Sequence, residues 1–305
     1  RGDVRNIDSL GRLIQKIKPD FIFHLAAQAL VSKSYTDPTE TISTNVIGTM
    51  NLLEALRKTK HSCNCIIITS DKCYDNVEWI WGYKETDTLG GKDIYSGSKG
   101  AAELIFKSYH YSFFNGNKNI VNIASARAGN VIGGGDWAQD RIIPDCVRSW
   151  SRGEAVNIRS PKATRPWQHV LEPLSGYLLL GMELSKNKNL NGESFNFGPI
   201  SHQNHSVEDI LKEFSKHWEF SSYDDAYIII DDLKFHEAGL LKLNCDKALS
   251  QLKWLPTLDY KEIIEFTSSW YYKFYNEKVD MFDFTINQIR KYEKIAEKKD
   301  LKWIK

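Results

Sequence analysis

With 305 residues the chain has material for one large α/β domain or two smaller ones, and for a sizeable core. Its 40 Lys and Arg nearly cancel 39 Asp and Glu, for a net charge of +1, which argues against nucleic acid or an anionic membrane surface as partner. No apolar run reaches membrane-spanning length, residues 177–182 being far too short, and the polar start at Arg1-Gly2-Asp3 lacks a secretory signal pattern.

Residues 7–18 carry Ile7, Leu10, Leu13, Ile14 and Ile17 at helical spacing, and Lys18-Pro19-Asp20 breaks the run. Residues 21–27 read as a strand ending in small side chains. Asp37-Pro38 starts a helix near Thr39 that runs to about Arg57, with Ile42, Val46, Thr49, Leu53 and Leu56 on one face. A strand at 65–69, a loop rich in aromatic residues and glycine at 79–91, a helix from Tyr95 to about Phe114 and a strand at 120–126 follow. This alternation predicts right-handed βαβ units and a parallel sheet, whose ligands bind at the carboxyl ends of the strands. Ala26-Ala27, Thr69-Ser70-Asp71 and Arg127-Ala128-Gly129-Asn130 all fall at such ends.

Beyond Ala126 the pattern loosens. Gly133-Gly134-Gly135-Asp136-Trp137 reads as a flexible loop, 144–152 as a short helix, 165–170 as extended, 173–185 as a helix and 193–197 as a strand. Ser206 caps a helix reaching His217, with Glu208 and Asp209 at its positive end. Helices over 260–275 and 284–297 close the chain. The irregular connections suit a substrate lobe.

The five cysteines are odd in number, scattered and without a Cys-x-x-Cys spacing, so free thiols in a reducing cytoplasm are expected. Cys63 and Cys65 are expected on opposite faces of their strand. His202 and His205 lie in a Ser/Asn-rich loop without carboxylate or thiolate company, and no metal site is expected there.

The chemistry concentrates in two stretches. Thr69-Ser70-Asp71-Lys72-Cys73-Tyr74 follows the apolar run Cys65-Ile66-Ile67-Ile68, and Tyr95-Ser96-Gly97-Ser98-Lys99 opens a long amphipathic helix. Tyr95 and Lys99 thus sit one turn apart on one face. A hydroxyl at a strand end, a tyrosine and a lysine form the proton-handling set of a nicotinamide-dependent oxidoreductase. Lys99 is expected to lower the pKa of Tyr95, so that the phenolate acts as a base near neutral pH, while Ser70 holds the substrate oxygen. Asp71 and Lys72 add a second acid/base pair, which points to chemistry beyond hydride transfer. A lone Tyr-x-x-x-Lys is a weak signal. Here it is the only one in the chain, 25 residues after Ser70, on the helix that follows that strand.

From about Asp3 to Trp254 the chain resembles the extended short-chain dehydrogenase/reductase family of NAD-dependent nucleotide-sugar epimerases and dehydratases. The stretches that carry the resemblance are His24-Leu25-Ala26-Ala27-Gln28, Asn45-Val46-Ile47-Gly48-Thr49, the run from Thr69 to Asn76 and the run from Tyr95 to Gly100. Further on come the run from Arg127 to Trp137, the run from Arg165 to Tyr177, and Asn196-Phe197-Gly198-Pro199. Several are long and idiosyncratic, and their order matches.

The resemblance implies a truncated Rossmann-type, doubly wound parallel sheet with a smaller C-terminal substrate-binding lobe. Residues 1–130 with about 167–200 would form the N-terminally truncated NAD-binding domain, and about 131–166 with 201–305 the nucleotide-sugar-binding lobe. It also implies a 4,6-dehydration of CDP-glucose, in which the sugar is oxidised at carbon 4, water is lost across carbons 5 and 6, and hydride returns to carbon 6. Tyr95 is then the base, supported by Ser70 and Lys99, and Asp71 protonates the leaving hydroxyl. Lys72 stands where relatives acting on dTDP- and GDP-sugars carry glutamate as the base at carbon 5, and a lysine there matches the enzymes that take CDP-sugars. To act as a base it must be neutral, which burial beside Lys99 is expected to favour; the other role open to it is to position substrate.

By the same resemblance Asp3 and Val4 lie at the adenine of NAD, Leu25, Ala26 and Ala27 along its pyrophosphate and ribose, and Thr69, Tyr95 and Lys99 complete the cofactor set. Asn130 contacts the sugar or its phosphate, Arg165 the diphosphate through its fork of donors, and Arg141 is a further substrate contact. Trp167 and His169 are expected to pack, and Asn45 to brace the strand ends. The helices near 39–57 and 95–114 imply a homodimer, and the product feeds deoxysugar biosynthesis of the lipopolysaccharide O-antigen kind. The family's opening strand, glycine loop and helix, which hold the pyrophosphate, do not precede Gly2-Asp3. The chain as given is therefore expected to bind NAD poorly and to leave a sheet edge uncovered. Two alternatives stay open: another nucleotide-sugar dehydratase or epimerase of this superfamily, or a non-catalytic truncated chain acting as a binding subunit.

Overall fold

The structure, a computed structural model, describes residues 2–116, 120–200, 203, 205–218, 220, 222–230 and 239–305. Asn6 accepts from the amide of Ser9 and caps α1 (Ile7–Ile17), which ends where Lys18 turns left-handed. After β1 (Phe21–His24) come α2 (Val31–Thr36), α3 (Pro38–Ile42), capped by Asp37, and α4 (Gly48–Arg57), joined to α3 by a π-helical turn over Ser43–Ile47. The first half ends with β2 (Cys63–Ile68), α5 (Ile94–Tyr109) and β3 (Val121–Ala128). The second half holds β4 (Val131–Ile132), α6 (Ile142–Trp150), β5 (Val156–Ile158), β6 (Thr164–Arg165), β7 (Gln168–His169) and α7 (Leu171–Lys186). It closes with β8 (Ser194–Phe197), β9 (His205–Ser206), α8 (Val207–Ser215), β10 (Tyr227–Ile229), α9 (Tyr260–Asn276) and α10 (Met281–Lys298).

β1, β2, β3 and β8 pair in that order into a four-stranded sheet, parallel throughout. Strand alternation assigns its two faces to two cores. On one face Cys63, Cys65, Ile67 and Ile123 pack with Ile14 of α1, Leu53 and Leu56 of α4 and Phe106 of α5. On the other, Ile66, Ala124, Ala126 and Phe195 meet Leu180 and Leu184 of α7 and the buried Trp254. Helices on both faces make the sheet doubly wound, as expected. A third core joins α6, α8, α9 and α10 around Trp150, Phe214, Tyr271 and Tyr292. Ala248, Leu252 and Trp254 pack on the sheet, so this stretch belongs with the sheet and not with the later helices.

Several expectations are corrected. β1 stops at His24 instead of Ala27, leaving Leu25 and Ala26 exposed. Cys63 and Cys65, two positions apart on one strand, share a face because the period is two. The glycine loop is packed rather than open: a Cβ on Gly134 would lie 2.1 Å from the Trp270 ring. The polar α2 carried no periodic signal and was not expected. His202 lies outside the described residues, and His205 stacks on Tyr260 at 3.5 Å.

Candidate active site

Ser70 leaves β2 extended and caps a single 3₁₀ turn over Asp71–Cys73, its hydroxyl accepting from the Lys72 amide at 3.3 Å. Three residues per turn send Ser70, Asp71 and Lys72 in different directions from one strand end. Facing them is the start of α5, where Asp93 caps the helix by accepting from the amide of Ser96 at 2.9 Å. Tyr95, Lys99 and Glu103 follow at intervals of four on its buried face. The Lys99 ammonium lies 5.8 Å from the centroid of the Tyr95 ring.

Ser70 donates to Asp71 Oδ1 at 2.8 Å and also interacts with the Tyr95 phenol. Asp71 Oδ2 is buried with no partner. Burial pushes the Asp71 carboxyl up, outweighing the opposing pull of Lys72, Ser70 and Arg165. It lies against Gly129, where a Cβ would come within 2.0 Å of Oδ2. Only glycine fits there.

The expected activation of Tyr95 is not what the structure shows. Burial, then the Asp71 carboxylate, push its phenol up to about 12, and Lys99 is not among the groups that shift it. Lys99 itself is lowered by burial to about 8. Lys72 is half-buried, and the group its charge acts on is Asp71. This lysine is not fully buried, as a neutral lysine base would require.

The arginines converge from the second half. Arg165, on β6 paired with β9, is close enough to Asp71 to pull on its carboxyl. Arg141, at the start of α6, donates to Asp136 Oδ2 at 2.8 Å and to the Ala29 carbonyl at 3.5 Å, and it lowers the Tyr95 phenol. Asn130 sits just past β3 with a φ of 40°. Its carbonyl accepts from the Gln168 amide at 3.3 Å.

At the β1 end, Asn45 bridges the Gln28 main chain and the Ser98 hydroxyl, as its bracing role required. Val4 rests on Gly48, and Asn51 donates to the carbonyls of Val4 and Arg5. Asp3 pairs with Arg5 at 2.6 Å, which holds its carboxyl down at about 2, beside an open cavity of ≈ 530 Å³ lined by Asp3, Arg5, Asn6 and Ile7. Thr69 differs from expectation: its hydroxyl is donated to Glu103 in the interior, so the side chain supports the site from below. Trp167 and His169 are buried and pack, the imidazole kept neutral by burial.

The sequence reading missed the layer beneath. Glu103 and Arg127 form an ion pair at 2.7 Å with neither side chain exposed. Arg127 donates to the Tyr74 hydroxyl, which donates to Asn196 Oδ1. The usable signal was Glu103 four positions after Lys99, a charge on the buried face of its helix, and Arg127 in a strand otherwise small and apolar.

A doubly wound parallel sheet with Ser70 at a strand's carboxyl end, facing Tyr95 and Lys99 at the start of α5, is the arrangement of an NAD-dependent enzyme of the extended short-chain dehydrogenase/reductase type. The chain belongs to the GDP-mannose 4,6 dehydratase family, whose model matches residues 1–267. It is 46% identical over 274 residues to the CDP-glucose 4,6-dehydratase of Salmonella typhimurium, covering 88% of this chain and 75% of that protein. It is 25% identical to the CDP-paratose 2-epimerase of Salmonella typhi, over 88% of this chain and 82% of that one. Its fold matches the UDP-glucose 4-epimerase of Thermotoga maritima with a TM-score of 0.77 at 22% identity, over 90% and 84% of the two chains. A dTDP-glucose 4,6-dehydratase from Streptomyces venezuelae, solved with NAD bound, matches at 0.76 and 20% identity, over 88% and 78%.

Proposed function

We propose that the chain dehydrates CDP-glucose to CDP-4-keto-6-deoxyglucose with NAD as cofactor. The observation that carries this reading is Asp71, a buried carboxyl whose pKa burial raises and whose Oδ2 is bare, next to the proposed hydride-transfer set of Ser70, Tyr95 and Lys99. Hydride transfer alone needs no such acid. The 46% identity to a CDP-glucose 4,6-dehydratase supports the same substrate.

The residues present fit the nicotinamide and ribose parts of an NAD site. Leu25, Ala26 and Ala27 leave the carboxyl end of β1 open, and Lys99 keeps a buried ammonium with no hydrogen-bond partner among the described residues. Asp3 and Val4 would hold the adenine, Leu25 to Ala27 the pyrophosphate and ribose, and Tyr95 and Lys99 the reactive end. Bound there, NAD would supply the hydride acceptor for carbon 4 and the hydride that returns to carbon 6. Tyr95 takes the proton of the 4-hydroxyl, with Ser70 holding that oxygen and Lys99 supplying positive charge. The ketone at carbon 4 acidifies the proton on carbon 5; Lys72, half-buried beside Asp71, either takes that proton or positions the sugar for its loss, while Asp71 protonates the departing 6-hydroxyl. Arg165, Arg141 and Asn130 bind the diphosphate and sugar.

The division into a sheet unit (1–130 and about 167–200, with 248–254 added) and a sugar-binding lobe is part of the reading. So is a homodimer through the helices near 39–57 and 95–114, supported by the exposed Ile42, Ile47, Leu104, Tyr111 and Phe113 on these elements. No described helix is long and apolar enough to cross a membrane. The free described cysteines suit a reducing cytoplasm, and the product suits deoxysugar biosynthesis such as that of O-antigen. Turnover of CDP-, dTDP-, GDP- and UDP-glucose in parallel tests the substrate: CDP-glucose should be preferred, and equal use of dTDP-glucose would contradict it.

A further inference from the structure

Glu103 has no role in the chemistry above, yet it is a charged side chain wholly buried at the centre of the sheet unit. It follows Lys99 by one turn of α5. Its Oε1 accepts from the Thr69 hydroxyl at 2.6 Å, and its Oε2 accepts from Arg127 at 2.7 Å, Ser125 at 2.9 Å and Ser194 at 3.3 Å. These donors come from three adjacent strands: Thr69 just past β2, Ser125 and Arg127 within β3, and Ser194 at the start of β8. A buried ion pair gains little stability over an apolar pair of similar volume, so stability does not account for it.

We propose that Glu103 is a positioning residue of the active site. Through Thr69, Ser125, Ser194 and Arg127 it fixes the turn that bears Tyr95 and Lys99 against the strand end that bears Ser70 and Asp71. Its catalytic consequence rests on the dehydratase reading; its effect on Lys99 does not.

The second consequence is charge. Lys99 faces Glu103 from its own helix, the Cys73 thiol from the 3₁₀ turn, His24 from β1 and the Tyr95 ring. Burial keeps Cys73 protonated and His24 neutral. Glu103 is the one anion in this group, and it opposes the loss of the Lys99 proton.

Competitive acetylation across pH, read at the Lys99 peptide by mass spectrometry, gives the Lys99 midpoint in the full chain without substrate or cofactor. Glu103→Gln should lower that midpoint by about one pH unit. Because this leaves Arg127 buried without its partner, Glu103→Gln combined with Arg127→Met removes both charges and should show the same downward shift in a folded protein. On CDP-glucose, kcat should fall about 100-fold in both, with KM within about threefold of the parent. An unmoved midpoint in the folded double variant overturns the proposal, as does an unchanged kcat where the parent is active. A lowered midpoint in a parent that leaves CDP-glucose untouched upholds the role of Glu103 and overturns the substrate reading instead.

Discussion

Ser70 donates its hydroxyl to Asp71 Oδ1 at 2.8 Å, while Asp71 Oδ2, buried against Gly129, has no partner. One oxygen is fixed by the residue proposed to serve hydride transfer, and in the proposed mechanism the other is left for a second step. In the proposed mechanism this free oxygen is what lets the site go beyond hydride transfer. Asp71→Asn preserves the shape and removes the proton donor. Water loss should fall by about 100-fold or more. Quenched-flow analysis should then show the 4-keto sugar still bearing its 6-hydroxyl; normal dehydration by the variant would rule out Asp71 as the acid.

The pH profile follows from Tyr95 and Lys99. The phenol is pushed up to about 12 by burial and then Asp71, so below that its base form grows about tenfold per pH unit. Lys99, lowered by burial to about 8, loses its charge above that pH. The initial rate should therefore climb up to about pH 8 and break there. Tyr95→Phe should abolish turnover. A profile flat on the acid side of the break would contradict the assignment.

Gly129→Ala probes the contact from the other side. The added Cβ would lie 2.0 Å from Asp71 Oδ2 and 2.4 Å from its carboxyl carbon, with no room for both. Displacing the acid should lower kcat about 100-fold with KM little changed, at a stability cost of about 1–3 kcal/mol. Steady-state kinetics with thermal unfolding would check it, and full activity would mean that Asp71 need not sit where it does.

The alternation of strand and helix was legible because buried parallel strands read as apolar runs and flanking helices as periodic ones. Ser70, Asp71, Lys72, Tyr95 and Lys99 were legible because a strand end and a helix start bring them together whatever the loop between. Glu103 and Arg127 were not, since their pairing joins residues 24 apart through side chains, and helix periodicity carries no record of a partner on another element. The Tyr95 shift failed for a related reason: spacing places Lys99 near the ring but gives neither burial nor the carboxyl of Asp71. The π-turn over Ser43–Ile47 left no trace in a sequence whose apolar spacing runs on through it.

Glu172 ties the two halves. This carboxylate on α7 accepts from the amides of Thr257 at 2.8 Å and Leu258 at 2.7 Å, and from the Tyr292 hydroxyl of α10 at 3.1 Å. Burial outweighs these bonds and raises its pKa from 4.5 to about 7. Between those values the folded state keeps a proton that the unfolded state releases. Stability should then fall by about 3 kcal/mol as pH rises through this window. Glu172→Gln should remove that slope in urea unfolding at acid and neutral pH, and the same fall in both proteins would exclude Glu172 as its source.

The most direct test of the central claim is the product formed from CDP-glucose and NAD in heavy water, read by mass spectrometry and NMR. The account predicts CDP-4-keto-6-deoxyglucose, lighter by one water and carrying deuterium at carbon 5, with no net change in NAD. A CDP-hexose of unchanged mass, epimerised at carbon 4 and free of deuterium, would contradict it.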